Sequence, residues 1–203
     1  MYQGCQNLMF HVVRCSDVLD RLKPYNLIFI QKASPVQGDA FDMAFVYKFF
    51  TERNEKTQRL KYIIRVEKHN NAFALKFYAA RDRKNINKYH RIINAHDYKN
   101  LVRLLLTCFE VIPDILSKYP TASFVVNGAN SRDLRTHTEE NFSNNQRFRI
   151  YKELTLRKIG NRVFEHFYFE EASSFMLVNR GSADDINLEA QRLKDYLLDI
   201  YCM

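Results

Sequence analysis

Two neighbouring stretches with alternating apolar residues restrict the fold of this chain more than any other feature. Between residues 59 and 68, and again between 72 and 81, an apolar residue occupies every second position. This period of two is typical of a β-strand that buries one face. The intervening residues include Asn70 and Asn71, and asparagine tolerates the positive φ of a tight turn. The sequence therefore predicts a β-hairpin that turns at Asn70-Asn71.

That turn also fixes the register of the hairpin. It sets three apolar pairs opposite each other, which are Val66 with Leu75, Ile64 with Phe77, and Tyr62 with Ala79. Because all three pairs are apolar, the turn and the alternation agree on which face is buried. On the other face the register sets Arg65 opposite Lys76. Near the open end it sets Arg59 opposite Asp82, where we expect a cross-strand ion pair.

The remaining segments complete a chain of strands and helices. Strands are predicted over 10–14, 27–30, 43–52, 123–127, 163–169 and 173–178, and helices over 16–22, from 98 to about 118, from Asn144 or Asn145 to Gly160, and from Asp184 or Asp185 onward. The run over 27–30 is continuously apolar, which predicts a buried strand. Pro113 is expected to kink or end the long helix. We predict an α/β (α+β) fold, with one domain over 1–203 and a mainly antiparallel mixed sheet packed by helices, and residues 1–8 as a loose leader.

Composition agrees with a packed globular chain and argues against several chemistries. The 203 residues include 16 Phe and 12 Tyr for a core, but only 5 Gly and 4 Pro. No C-x-x-C, H-x-x-x-H or H-E-x-x-H pattern occurs, so we expect no metal site and no cofactor. Neither a signal sequence nor a membrane-spanning run is evident, and the expectation is a cytoplasmic protein without a membrane partner.

The basic charge is concentrated in one segment. Residues 59–91 hold ten Lys or Arg and two acids, and this net of +8 equals the +8 of the whole chain. Such a local excess favours an anionic partner, for which nucleic acid or another polyanion is the candidate. The predicted contacts are Lys61, Arg65, Lys76, Tyr78, Arg81, Arg83, Lys84, Lys88 and Arg91. The alternative is a solvated strand face and loop with no ligand.

The order of the predicted elements resembles that of the GNAT N-acetyltransferases. From residue 43 it is strand, strand, strand, long helix, strand, helix, strand, strand. The stretch Asn145-Gln146-Arg147-Phe148-Arg149-Ile150-Tyr151-Lys152-Glu153-Leu154 is similar to the GNAT helix that starts at an Asn and bears an apolar residue and a Tyr. The resemblance implies an acyltransferase in which Tyr151 is the candidate general acid. A core tyrosine on an amphipathic helix is the alternative role.

Two further similarities bear on function. The segment from Arg132 to His137 has the R-x-x-x-x-H spacing of HEPN ribonucleases, in which the His acts as acid or base and the Arg holds phosphate. The stretches 124–129 and 147–152 also resemble a bacterial protein family of unknown function, which implies no activity. We therefore predict a non-catalytic binding module, with an acyltransferase or a ribonuclease as alternative enzymes, and leave a homo-oligomer open.

One departure from the GNAT pattern leads to a test. GNAT enzymes hold the pyrophosphate of acetyl-CoA at a glycine-rich turn, because free backbone amides must approach the phosphates closely. Residues 81–100 contain no glycine. We expect calorimetry to detect no acetyl-CoA binding at micromolar concentration. Micromolar affinity would contradict this prediction and favour Tyr151 as an acid.

Overall fold

A seven-stranded mixed sheet organises the structure. The computed structural model describes residues 21–53, 55, 58–90, 98–129 and 139–201. Its strands are β1 (Ile28–Ala33), β2 (Met43–Phe50), β3 (Lys61–His69), β4 (Ala72–Ala79), β5 (Ser123–Asn127), β6 (Phe164–Phe169) and β7 (Ser174–Asn179). They lie in the order β1-β2-β3-β4-β5-β7-β6. Only β4 and β5 pair in parallel, so the described elements form the predicted α+β domain with a mainly antiparallel sheet.

The central hairpin has the predicted register. Val66 pairs with Leu75, and Arg65 lies opposite Lys76. Asn70 adopts a φ of 53° at the turn, which is the left-handed conformation that asparagine tolerates. Local alternation and one turn are therefore enough to specify this part of the sheet.

The predicted Arg59–Asp82 pair is wrong. The chain leaves the strand conformation after Ala79 and forms a 3-10 turn over Ala80–Asp82, so residue 82 has no cross-strand position. Asp82 is buried in this turn. The guanidinium of Arg59 instead lies 4.9 Å from the ring centroid of Phe50.

Four α-helices are described, and their ends follow from local chemistry. They are α1 (Tyr98–Phe109), α2 (Val111–Leu116), α3 (Gln146–Leu154) and α4 (Ile186–Tyr201). The long predicted helix is divided after Phe109 because Pro113 has no N–H to donate to the Phe109 carbonyl and its ring crowds that oxygen. After α3, a π-helical turn over Thr155–Ile159 ends at Gly160, whose φ is 65°.

The sheet separates two hydrophobic clusters. The larger one joins β2 to β5 with α1, α2 and α3 and is rich in rings, such as Phe49 stacked 5.3 Å from Tyr62. The smaller one places Leu193 and Leu197 of α4 against Met176 and Val178 of β7. Both faces of the central sheet are thus covered at the end where β4 begins.

The prediction of a buried strand over 27–30 is wrong. Ile28, Phe29 and Ile30 remain 37%, 48% and 41% exposed in β1. The reason is position, since among the described strands β1 lies at the edge of the sheet and pairs only with β2. The strand and leader expected before residue 21, and the start of the short helix over 16–22, lie outside the described residues.

A buried polar cluster fixes the start of α3, and we call its members Gly128, Asn145 and Ser173 the Asn145 cluster. The Asn145 side chain accepts a hydrogen bond from Phe148 N at 2.9 Å and donates one to the carbonyl oxygen of Gly128. Asn145 N donates to Ser173 Oγ at 2.9 Å, and Gly128 N donates to Ser173 O at 2.7 Å. One asparagine therefore joins the end of β5, the start of α3 and the turn between β6 and β7.

Replacing this asparagine should cost more than the loss of an ordinary helix cap. We expect Asn145→Ala to lower the free energy of unfolding by about 2–4 kcal/mol, because it removes a cap and leaves the Gly128 carbonyl unsatisfied. Chemical denaturation measures the change. The matched control is Asp185→Ala, which removes an exposed cap that accepts from Leu188 N at 3.0 Å and should cost about 1 kcal/mol. Equal losses in the two variants would contradict the prediction.

Candidate anion-binding site

The outer face of the hairpin carries a three-residue ionic cluster. Alternation along β3 puts Arg65 and Glu67 on one face, and the register adds Lys76 from β4. Arg65 Nε lies 2.8 Å from Glu67 Oε1, and Lys76 Nζ lies 2.5 Å from Glu67 Oε2. Glu67 therefore compensates the repulsion between the two directly opposed cations and leaves the cluster with one net positive charge.

The carboxylate of this cluster stays ionised despite its burial. Burial raises the pKa of Glu67, but the Lys76 ammonium and the Arg65 guanidinium lower it further, so that the net shift is downward from 4.5. The Arg65 guanidinium also lies 4.7 Å from the ring centroid of Phe41. Arg65 and Lys76 are thus held in place rather than extended freely into solvent.

Two tyrosines and a lysine adjoin this cluster. The ring of Tyr78 meets that of Tyr89 edge-on, with centroids 5.6 Å apart, and Lys88 Nζ lies 5.1 Å from both rings. Burial, with the nearby charge of Glu67, raises the pKa of Tyr89 to about 12. The chain after β4 therefore folds back beside the outer face and covers part of the Tyr78 ring.

The turn that follows β4 carries three exposed cations. Arg81, Arg83 and Lys84 are exposed, and none forms an ion pair within the described part of the chain. Backbone hydrogen bonds hold the turn, with Asn85 N donating to Asp82 O at 2.8 Å. We call Arg81, Arg83 and Lys84 the basic turn. Lys61 is also exposed at the start of β3, whereas Arg91 lies outside the described residues.

The catalytic candidates have a different placement. Tyr151 is 2% exposed, with its ring 5.6 Å from Phe109 and 5.7 Å from Phe175. Burial and the neighbouring Cys108 raise the pKa of its phenol well above 10.0. This position suits the core role of the tyrosine. Arg132 and His137 lie outside the described residues, so the ribonuclease spacing stays a prediction.

Sequence reasoning missed Arg147. It is 2% exposed on α3, and its Nη1 donates to the Tyr89 carbonyl at 2.6 Å. Burial lowers its pKa to about 10, so the guanidinium is charged at neutral pH. The available signal was spacing, since Arg147 precedes the buried Tyr151 by four residues and must share its helix face.

The described residues provide neither a metal centre nor a membrane-spanning helix. No group of three His, Cys, Asp or Glu among them can hold a metal ion, and no helix among them has the length and apolarity needed to cross a membrane. Comparison with protein-family models, with curated proteins and with solved structures finds no match. The geometry above is therefore the basis for a functional proposal.

The buried carboxylate of the ionic cluster has a testable pH signature. We expect Glu67→Gln to lower the free energy of unfolding at pH 7 by about 1–3 kcal/mol, because two partly buried cations lose their counter-charge. The folded pKa lies below 4.5, so the difference from wild type should be complete above about pH 5 and shrink as the pH falls below 4.5. Urea denaturation at several pH values measures it.

An exposed ion pair provides the control for this measurement. Glu153 pairs with Arg157 one turn along the helical segment, where both side chains are partly exposed. Glu153→Gln should cost less than about 0.5 kcal/mol. A Glu67→Gln effect as small as this, or one that persists unchanged at pH 3, would contradict the assignment of the ionic cluster.

Proposed function

We propose that the protein is a non-catalytic binding module for single-stranded nucleic acid, and that the basic turn makes the main phosphate contacts. The observation that carries the proposal is the lack of ion-pair partners for Arg81, Arg83 and Lys84 in the described part of the chain. Three exposed cations within four residues form a dense positive surface. Phosphates that they neutralise release counterions, which drives binding.

The nearby acid cancels only part of this charge. Asp82 lies between Arg81 and Arg83 in sequence and is buried, whereas the three cations are exposed. Three cations and the one carboxylate of Asp82 therefore leave the turn with a formal net charge of +2. This excess favours binding of a polyanion.

The outer face of the hairpin extends the proposed interface. The ionic cluster adds one net positive charge, and Lys61 adds another at the start of β3. Tyr78 precedes Arg81 of the basic turn by three residues, and its ring centroid lies 5.1 Å from Lys88 Nζ. Half-buried Tyr78 keeps part of its ring accessible, and a base stacked on such a ring contributes about 1–3 kcal/mol.

The buried position of Tyr151 supports a binding role over acyl transfer. A general acid must come within hydrogen-bond distance of the reacting group. Tyr151 is 2% exposed and lies against the rings of Phe109 and Phe175, which separates its phenol from a substrate in solvent. Its raised pKa also makes the phenol a weaker proton donor. A divergent acyltransferase is thus the weaker alternative.

Charge reversal of the basic turn tests the proposal. Fluorescence anisotropy with a labelled single-stranded RNA should detect binding at low salt that weakens as salt is raised. Arg81→Glu, Arg83→Glu and Lys84→Glu together should reduce the slope of log affinity against log salt by about 2, because each phosphate contact on a single strand contributes about 0.7.

The control variant makes the same change in charge at unrelated sites. Lys32 lies on β1, Arg162 precedes β6 and Lys194 lies on α4, and none forms an ion pair within the described residues. Reversing these three should leave the slope within about 0.7 of wild type. An equal reduction of the salt slope in both variants would refute the basic turn as a nucleic-acid interface. So would the absence of binding by the wild type.

A further inference from the structure

The buried guanidinium of Arg147 has two donors with no acceptor. Its Nη1 bonds to the Tyr89 carbonyl, but Nε and Nη2 have no hydrogen-bond partner among the described residues. Almost every buried donor in a native protein has an acceptor, so two on one charged group call for a physical explanation.

The two donors are on the same edge of the guanidinium. Nε–H and the neighbouring Nη2–H point in parallel, and together they match the spacing of two oxygens on a carboxylate or a phosphate. The third nitrogen is already used by the protein. Arg147 therefore presents a complete bidentate edge and is anchored from the opposite side by Tyr89.

Counter-charge acts on this guanidinium only from a distance. Burial lowers the pKa of Arg147 and the nearby Glu140 carboxylate acts to raise it, but Glu140 forms no ion pair with Arg147 within the described residues. No described carboxylate forms an ion pair with Arg147, and its ring contact is Phe77, whose centroid lies 5.8 Å from the guanidinium carbon. A buried charge without a partner costs several kcal/mol. An incoming anion would recover much of that cost and satisfy both donors at once.

The pairing of β4 with β5 ends before it reaches this group. β4 and β5 pair from Ala72 with Ser123 as far as Leu75 with Val126, and β4 then continues to Ala79 without β5. Phe77, whose ring centroid lies 5.8 Å from the guanidinium carbon, is in the part of β4 that has no β5 partner. An anion bound at Arg147 would therefore lie beside this part of β4.

We propose that Arg147 is the binding residue of a second site, which takes the carboxylate or phosphate group of a small molecule bidentately beside the end of β4. This site is separate from the basic turn, because Arg147 is buried and the basic turn is exposed. The ligand is small because Nε and Nη2 are buried, so that only a compact anionic group can be enclosed beside them. The proposal goes beyond nucleic-acid binding and does not depend on it.

Arginine side-chain NMR tests the site directly. The Nε–H resonance of Arg147, assigned by its loss in Arg147→Lys, should shift on titration with inorganic phosphate or with acetate. A shift with phosphate alone identifies a phosphate ligand, and one with acetate alone identifies a carboxylate ligand. Arg149 is on the same helix but exposed, and its resonance should stay within about a tenth of the Arg147 shift, since an exposed guanidinium binds these ions weakly.

Affinity and stability provide the second readout. Arg147→Lys keeps the charge but loses the two-point edge, and should weaken binding of the effective ion about tenfold. Arg147→Met should abolish binding, and should leave the ion-free protein at least as stable as wild type because it removes an uncompensated buried charge. Arg149→Met should bind as wild type does.

Two results would contradict the proposed Arg147 site. If neither phosphate nor acetate at millimolar concentration moves the Arg147 resonance, the site does not exist. If Arg149→Met weakens binding as much as Arg147→Met, the ions bind the surface and the proposal fails. Should Arg147→Met not fold, the lysine variant decides the matter through its affinity alone.

Discussion

The rest of the structure depends on the Asn145 cluster. A single buried side chain satisfies the end of β5 and the first turn of α3, while its backbone N–H bonds the Ser173 hydroxyl. Gly128 makes this possible, since a Cβ at that position would lie 2.8 Å from Asn145 Oδ1 and 2.9 Å from Ser173 O. Because α3 is fixed at its first residue, its next turns are fixed as well. Arg147 and Tyr151 are consequently placed inside the protein.

The parallel pairing of β4 and β5 also determines where the two proposed sites lie. Four residue pairs join the two strands, and β4 continues past the last of them to Ala79. In the chain that follows β4, Tyr89 has its ring against Tyr78 and its carbonyl bonded to Arg147. One residue thus separates the exposed cations of the basic turn from the buried guanidinium. The topology brings both proposed sites to the same end of β4 without making them one site.

Sequence reasoning succeeded where information is local. The register of the hairpin follows from alternation and one asparagine turn, and the end of α1 follows from Pro113. It failed where the burial of a residue depends on contacts between distant parts of the sequence. The apolar run of β1 is exposed because that strand lies at the edge of the sheet, a position that no local pattern encodes. The spacing of four residues puts Arg147 on the same helix face as Tyr151, but whether that face is buried depends on how α3 packs on the sheet.

The buried cations of the ionic cluster and of Arg147 differ in how their charge is compensated. Arg65 and Lys76 share a buried carboxylate, which offsets the cost of removing them from water. Arg147 is more deeply buried, yet no described acid forms an ion pair with it, and two of its donors have no acceptor among the described residues. The same chain therefore has the means to compensate a buried cation and does not use them at Arg147. Groups that lower stability in this way persist in proteins where a ligand completes them. The contrast between these clusters, more than the exposure of any single residue, is what favours a ligand at the end of β4.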